Sequence, residues 1–506
     1  MKSMSSNKFS NKDWLLAAFL FLLVLFLSAC SLETGLANWG DDHSAYISEG
    51  IAIAEGRFDE QTKINYYYHP SALPAEAEDN TLIYAWGYPL HLAVIYMLVG
   101  FDRVQYSSII YYKIPTLLCF ALTAGVLYLL FRRRFPRSFA FCGALLFCLS
   151  NYMIGLINYL YSDVVFLFYS TLTLLLAECY AERVLDQKPA YGLAFLYSLS
   201  LLFTYATRLN GPAVCLIALL AHIIILWRNR KKGKPNLWRH GIPYLAFALL
   251  AILIEHFWLA PATGNTSDIV GTRFWNNLSY YKTLLLDFFG DFYGRHVYFG
   301  YALALFAVLG FVTSGFRENL HLSLMLVGTM AVLLMLPYRQ GIRYMINILP
   351  FMIMYALYGL SFVLQKLTRD KLSEKTRGVL ALIISLLIVA YPLMTQSLRS
   401  LDRLKNRDSI GVNDVYSSDA VEIYRYIQNY TPEDAVICFC KPRSLYLNTE
   451  RLSFRVNWNG HELREADYYL LNKRDDWDSN LVEKTDVPLE LVKENDGFAL
   501  YRIREN

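Results

Sequence analysis

The sequence predicts an α-helical polytopic membrane protein of 11 to 13 spans, N-terminus inside and C-terminus outside, carrying a small C-terminal extracytoplasmic α/β domain. Three observations predict it. Of 506 residues, 55% are hydrophobic and only 18% charged, where about a quarter charged is usual for a soluble protein. Apolar runs recur over the first four-fifths of the chain, and about 20 such residues cross a bilayer as a helix. Basic residues fall in short blocks between those runs. The positive-inside rule alone explains such blocks, so nothing points to nucleic acid.

Taken in order, apolar segments lie near 14–32, 86–101, 108–131, 138–157, 162–181, 191–206, 211–227, 240–259, 297–315, 321–337, 344–364 and 378–396. Placing Lys2, Lys8 and Lys12, then Arg132, Arg133, Arg134 and Arg137, then 228–234 and 366–377 in the cytoplasm puts 33–85, 260–296, 338–343 and everything after about 397 outside. Full crossing by 86–101 would invert Arg132–Arg134. That segment is short and bounded by Gly87, Pro89 and Gly100; it reads as re-entrant or tilted, or else a second break restores parity. The chain divides into a membrane domain, 1–399, and an extracytoplasmic domain, 400–506.

Cys119, Cys142, Cys148, Cys179 and Cys215 sit in apolar runs as small core residues. Cys438 and Cys440 are too close for usual zinc spacings. "FLSACS" around Cys30 is similar to a lipoprotein cleavage box, but an uncut first span is expected because so many spans follow.

The first outer loop, 33–85, holds ten acidic residues against Arg57 and Lys63. Within it, Tyr46, Ile47, Ile51 and Ala54 share one helical face, which predicts a surface helix entered from Asp41 and Asp42. In the tail, "DAVEIYRYIQNYT" and "PRSLYLNT" read as helices and "AVICF" and "DYYLLN" as strands. "LELVKENDGFALYRI" reads as a hairpin turning at Asn495-Asp496-Gly497.

Charges at a membrane that topology does not explain are functional candidates. Asp163 opens a span at its outer mouth, where it is equally suited to be a plain helix cap. Arg208, Arg295, Arg339 and Arg343 sit at outer helix ends, against the topological bias. Several arginines there suit an anion, and a guanidinium fork matches phosphate oxygens. Facing them stand Asp41, Asp42 and Asp163. A carboxylate can take a proton from an attacking hydroxyl, and cations or a divalent metal can stabilise a departing phosphate. The combination suits group transfer from a phosphate-linked lipid.

The order of motifs then resembles a family. "DDHSAY" follows the first span, "WGYPLHLAVIYMLVG" comes next, a span ends in "YLLFRRRF", another opens with "YSDVVFLF", and "RYMINILPFMIMYALYGL" stands late. Over roughly 10–400 this is similar to the integral-membrane glycosyltransferases of the C fold class, which include protein O-mannosyltransferases and aminoarabinose lipid A transferases. The resemblance implies a polyprenyl-phosphate sugar donor, inverting transfer to an extracytoplasmic glycan, lipid or protein hydroxyl, and a plasma (inner) membrane location. It implies Asp42 as catalytic base or metal ligand, Asp163 as its partner, and Arg343-Tyr344 near the donor phosphate, with Arg208, Arg339 and Arg295 as further cations. Family members carry Asp-Glu in the first loop. Here Asp42 takes the Asp place, His43 replaces the Glu, and Asp41 is the acid that compensates. A divalent metal, Mg or Mn, would fall to Asp42, Asp163 and His43. Related transferases show an acid and Lys-Pro-Pro where this chain has Ala85-Trp86-Gly87-Tyr88-Pro89, which bears against a metal. His69 in "YYYHPS" reads as a hydrogen-bonded loop histidine rather than a replacement ligand.

Two other classes compete: a transporter or flippase of a lipid-linked saccharide, and an accessory subunit with altered catalytic motifs. Against transport, the sequence shows no internal repeat, and its unexplained charges fall at one surface.

Overall fold

The structure is a computed structural model describing residues 9–36, 41–58, 60–61, 64, 84–103, 108–229, 237–259, 274–291, 297–314, 319–335, 339, 341–368, 372–455, 461–475, 482 and 485–504. Helix α1 (Asn11–Cys30) starts in a capping box, Ser10 donating from its N–H and hydroxyl to Asp13 at 2.8 and 2.7 Å. It finishes at what we call the upper end of the bundle. There α2 (Asp41–Glu55) and α3 (Gly87–Val99) pack together without crossing. Both ends of α3 are held at the upper end. Gly87 lies against the backbone of Ala206 and Thr207, and Arg103, just beyond α3, donates to the Leu447 carbonyl at 2.7 Å. Segment 86–101 is thus the non-crossing helix that keeps Arg132–Arg134 at the lower end.

A helical turn, Ile109–Tyr112, leads into α4 (Ile114–Arg132). Between them Lys113 is fully buried and donates to the Glu33 and Gly35 carbonyls, each at 2.6 Å. Those carbonyl dipoles compensate a buried cation and tie the exit of α1 to the head of α4. Helices α5 (Arg137–Cys148) and α6 (Asn151–Gly155, continued by a 3-10 turn to Asn158) are long and apolar enough together to cross a membrane, with a 53° bend between them. Then come α7 (Ser162–Leu185), α8 (Tyr191–Thr207), α9 (Gly211–Arg228) and α10 (Leu237–Phe257), followed by α11 (Phe274–Asp291), α12 (Val297–Thr313), α13 (Leu320–Met335), α14 (Leu349–Thr368) and α15 (Glu374–Lys405). Helix α11 stays at the upper end: Arg339, just past α13, donates to its Asn277 at 3.1 Å, and Asp291 lies 3.9 Å from Arg399 of α15.

Among the described residues seven helices are long and apolar enough to cross a membrane alone, and eight if the bent pair counts as one span. Helices α8, α12 and α13 are shorter apolar helices packed in the same bundle. Helices α12 and α14 approach most closely, because a Cβ at Gly310 would collide with the Tyr355 carbonyl and one at Gly359 with that of Phe306. Small residues permit such backbone contact in the absence of a hydrophobic drive between spans.

The upper domain contains α16 (Ser418–Tyr430), β1 (Val436–Phe439), α17 (Pro442–Thr449), β2 (Leu452–Phe454), β3 (Tyr468–Asn472), β4 (Leu489–Glu494) and β5 (Phe498–Ile503). The strand order is β2-β1-β3-β5-β4, parallel at β2-β1-β3 and antiparallel at β3-β5-β4. The hairpin turns where expected: Asn495 Oδ1 accepts from the Gly497 and Phe498 N–H groups at 3.1 and 2.9 Å. Strand β2 has no counterpart in the sequence prediction; three residues leave too little alternation to see.

At the lower end the basic block is more than a topology signal. Arg132 and Arg137 each donate from Nε to Asp13 at 2.9 Å. Arg133 donates to Glu178 at 2.5 Å, His321 meets the same carboxylate at 2.6 Å, and Arg134 pairs with it too. Arg134 also donates to Asn319 at 2.7 Å and to the Leu130 carbonyl at 3.1 Å. The expectation that unexplained charges fall at one surface is therefore corrected. A single Glu inside an apolar span gathers a second, buried cluster.

Candidate active site

Three upper-end elements bring the candidate charges together: the first turn of α2, the first turn of α7, and a 3-10 turn at Gly341–Met345 ahead of α14. Asp42 Oδ1 accepts from the Tyr84 hydroxyl at 2.8 Å, and its Oδ2 accepts from both terminal nitrogens of Arg343 at 3.2 Å. The Arg343 Nε lies 3.6 Å from Asp163 Oδ2. Asp163, 3% exposed at its side chain, pairs through its other oxygen with Arg208. Arg343 therefore bridges the two carboxylates. Its guanidinium lies 4.3 Å over the Tyr161 ring, and Tyr344 sits between Arg343 and Arg208 at 5.7 and 5.4 Å. Tyr46, the tyrosine of the "DDHSAY" motif, hydrogen-bonds Ser162 at 2.9 Å and so locks α2 to the head of α7.

Burial alone would raise the Asp42 carboxyl. The Tyr84 hydroxyl and the Arg343 and Arg443 guanidinia outweigh it and hold the group below the ordinary carboxylate range. Asp42 is thus an anion at neutral pH and 31% exposed at its side chain, open to a substrate. Asp41 goes the other way. Burial raises it although it accepts from the Ser444 N–H and hydroxyl at 3.1 and 3.2 Å. Burial likewise pushes His43 down to about 3, and its Nε2 has no hydrogen-bond partner.

Several sequence candidates are elsewhere. Asp41 faces the first turn of α17, where it caps the helix, rather than the Asp42–Asp163 pair. Arg339 is held by Asn277 and stacks at 5.2 Å on Tyr280, away from both carboxylates. Arg295 and His69 lie outside the described residues. Among the described residues no three His, Cys, Asp or Glu side chains gather as a metal ligand set. The donors expected to hold a divalent metal, Asp42, Asp163 and His43, do not fit one. A guanidinium occupies the space between the two carboxylates, and the imidazole is sealed in the core. Sequence reasoning missed Tyr84, Tyr161 and Arg443 as members of the cluster. The two tyrosines lie among many others, and "KPRSLYL" reads as an ordinary helix start.

No protein-family model matches the sequence, nor does any curated protein. Solved structures do match. ArnT from Cupriavidus metallidurans, bound to undecaprenyl phosphate, aligns over 97% of this chain and 98% of its own at 14% identity, with a TM-score of 0.57. The oligosaccharyltransferase AglB from Archaeoglobus fulgidus, in complex with an inhibitory peptide and a dolichol-phosphate, aligns over 91% of this chain and 69% of its own. There the identity is 14% and the TM-score 0.52. Over most of its length the chain shares the fold of these two proteins, that of the C-class integral-membrane glycosyltransferases.

Proposed function

We propose that the protein transfers a sugar from a polyprenyl-phosphate donor to an acceptor hydroxyl, with inversion, at the outer face of the plasma membrane. One observation carries the proposal. The Nε–H of Arg343 is buried, lacks a hydrogen-bond acceptor, and stands between Asp42 and Asp163 at the end of a membrane bundle. A buried guanidinium N–H that is ion-paired at 3.6 Å but makes no hydrogen bond within the protein can take a ligand oxygen, and phosphate supplies oxygens in the geometry of the fork. The phosphate-linked lipids bound by ArnT and AglB are ligands of that chemistry. By the positive-inside rule, the lower-end block of arginines supports an outer location for the cluster.

In the proposed reaction the acceptor oxygen attacks the anomeric carbon opposite the phosphate, and its proton passes to the Asp42 carboxylate. The carbon–oxygen bond to phosphate breaks as the new glycosidic bond forms. Its electron pair stays on the departing polyprenyl phosphate, where Arg343 and Arg208 stabilise the charge. Tyr344 packs beside both guanidinia and sets their spacing. Asp163, with a buried side chain, holds Arg208 and Arg343 in place.

The test is to incubate the purified full-length protein with short-chain polyprenyl-phosphate sugars and follow release of polyprenyl phosphate. Removing a positioned base costs about 100- to 10,000-fold. Asp42→Asn should lose activity on that scale while remaining folded in the membrane fraction. Wild-type turnover in Asp42→Asn would defeat the proposal.

A further inference from the structure

The α/β domain reaches into the cluster. Arg443, in the first turn of α17, donates to the Tyr84 hydroxyl at 2.7 Å and lies 5.5 Å over the same ring. Tyr84 in turn donates to Asp42 at 2.8 Å, and Arg443 itself stands 4.0 Å from Asp42 Oδ1. A phenol has one proton to give. With the Arg443 N–H directed onto the phenol oxygen, the Tyr84 proton is committed to Asp42. The second Asp42 oxygen belongs to Arg343, so the carboxylate is gripped from the membrane bundle on one side and from the α/β domain on the other.

The domain is pinned where this grip requires it. Asp41 takes the N–H and hydroxyl of Ser444, the hydroxyls of Ser44 and Ser444 meet at 2.9 Å, and Arg103 holds the Leu447 carbonyl at 2.7 Å. Neighbouring residues Asp41 and Asp42 thus divide the work: one docks α17 and the other receives the relay that α17 starts.

We propose that Arg443 is a positioning residue of the reaction site, aiming Asp42 through Tyr84, so that the α/β domain forms part of the catalytic unit rather than an appendage. The proposal rests on the glycosyl-transfer function above and on Asp42 as its base. A misaligned base slows the chemical step without weakening donor binding, which separates positioning from a phosphate contact.

The experiment compares full-length Arg443→Met, Arg443→Lys, Tyr84→Phe and, as a docking control, Arg103→Met, with Asp42→Asn alongside. Polyprenyl phosphate release from short-chain polyprenyl-phosphate sugars is the readout. Arg443→Met and Tyr84→Phe should each lower kcat by at least about tenfold with donor KM unchanged, and Arg443→Lys should recover part of the loss. Arg103→Met should lower thermal stability and leave kcat of the folded protein alone. Full kcat in Arg443→Met with Asp42→Asn inactive removes the relay and spares the transfer reaction. Turnover by Asp42→Asn removes both. Equal kcat losses in Arg443→Met and Arg103→Met would reduce Arg443 to a docking contact and overturn the proposal.

Discussion

The two ends of the bundle each carry a cluster of arginines and carboxylates, and they are built on opposite principles. At the lower end the buried charges gathered around Glu178 are answered from within the protein. Glu178 takes Arg133, Arg134 and His321, while Arg134 spends its other donors on Asn319 and a carbonyl. At the upper end three guanidinia, those of Arg208, Arg343 and Arg443, meet two carboxylates, and the Arg343 Nε–H, 3.6 Å from Asp163, makes no hydrogen bond. A saturated buried network rigidifies. An unsaturated one keeps cationic capacity for a ligand. Abundance of arginine is thus a poor guide to function; the balance of donors against acceptors separates the clusters.

Mutations should divide along that line. Removing one partner of a buried ion pair costs about 3–5 kcal/mol, because the remaining charge stays buried. Glu178→Gln should lower stability by that amount in thermal or denaturant unfolding, with turnover per folded molecule unchanged. Arg343→Lys should do the reverse. A compact ammonium keeps the charge and loses the fork, forfeiting hydrogen bonds to charged groups of about 1.5–3 kcal/mol. That corresponds to roughly 10- to 150-fold in donor KM, with little change in the melting temperature. An Arg343→Lys protein as unstable as Glu178→Gln would collapse the contrast between the ends.

The smallest expected effect is on pH. The folded Asp42 value lies below its unfolded one, so its stabilising contribution is complete above the unfolded value of about 3.9 and fades as pH falls through the lower folded value. Protonation of Asp42 should therefore leave turnover flat from neutrality to about pH 4. Asp41 has the opposite sign. Its raised value means the folded state holds that proton more tightly, so its contribution weakens as pH rises through the folded value. Replacing Asp41 by Asn should flatten the pH dependence of unfolding in the acid range, measured against the parent protein.

The bundle was legible because most of its long helices announce themselves by length and apolarity, and Arg132–Arg134 pointed to 86–101 as the segment that breaks the pattern. The charges that topology could not explain, Asp42, Asp163, Arg208 and Arg343, stood out for the same reason, and the structure brings those four together. Arg339 shared their pattern and does not join them, since pattern does not say which way an outer-end arginine turns. Glu178 was overlooked because its partners come from helices far away in sequence, and its neighbours in the chain are apolar. Tyr84 and Arg443 were beyond reach for a similar reason: their significance is a contact spanning 359 positions.

That separation bears on how the molecule is made. Asp41 and Ser444 are 403 residues apart, and contacts of such long range form late. During synthesis from the N-terminus, the acidic turn of α2 lacks its α17 partners until the last fifth of the chain has been made and folded around its sheet. Only then does Arg443 meet Tyr84. Assembly of the reaction site would thus be the closing event of biogenesis, and a truncated or stalled chain could fill the membrane with well-packed helices and still lack a finished acid.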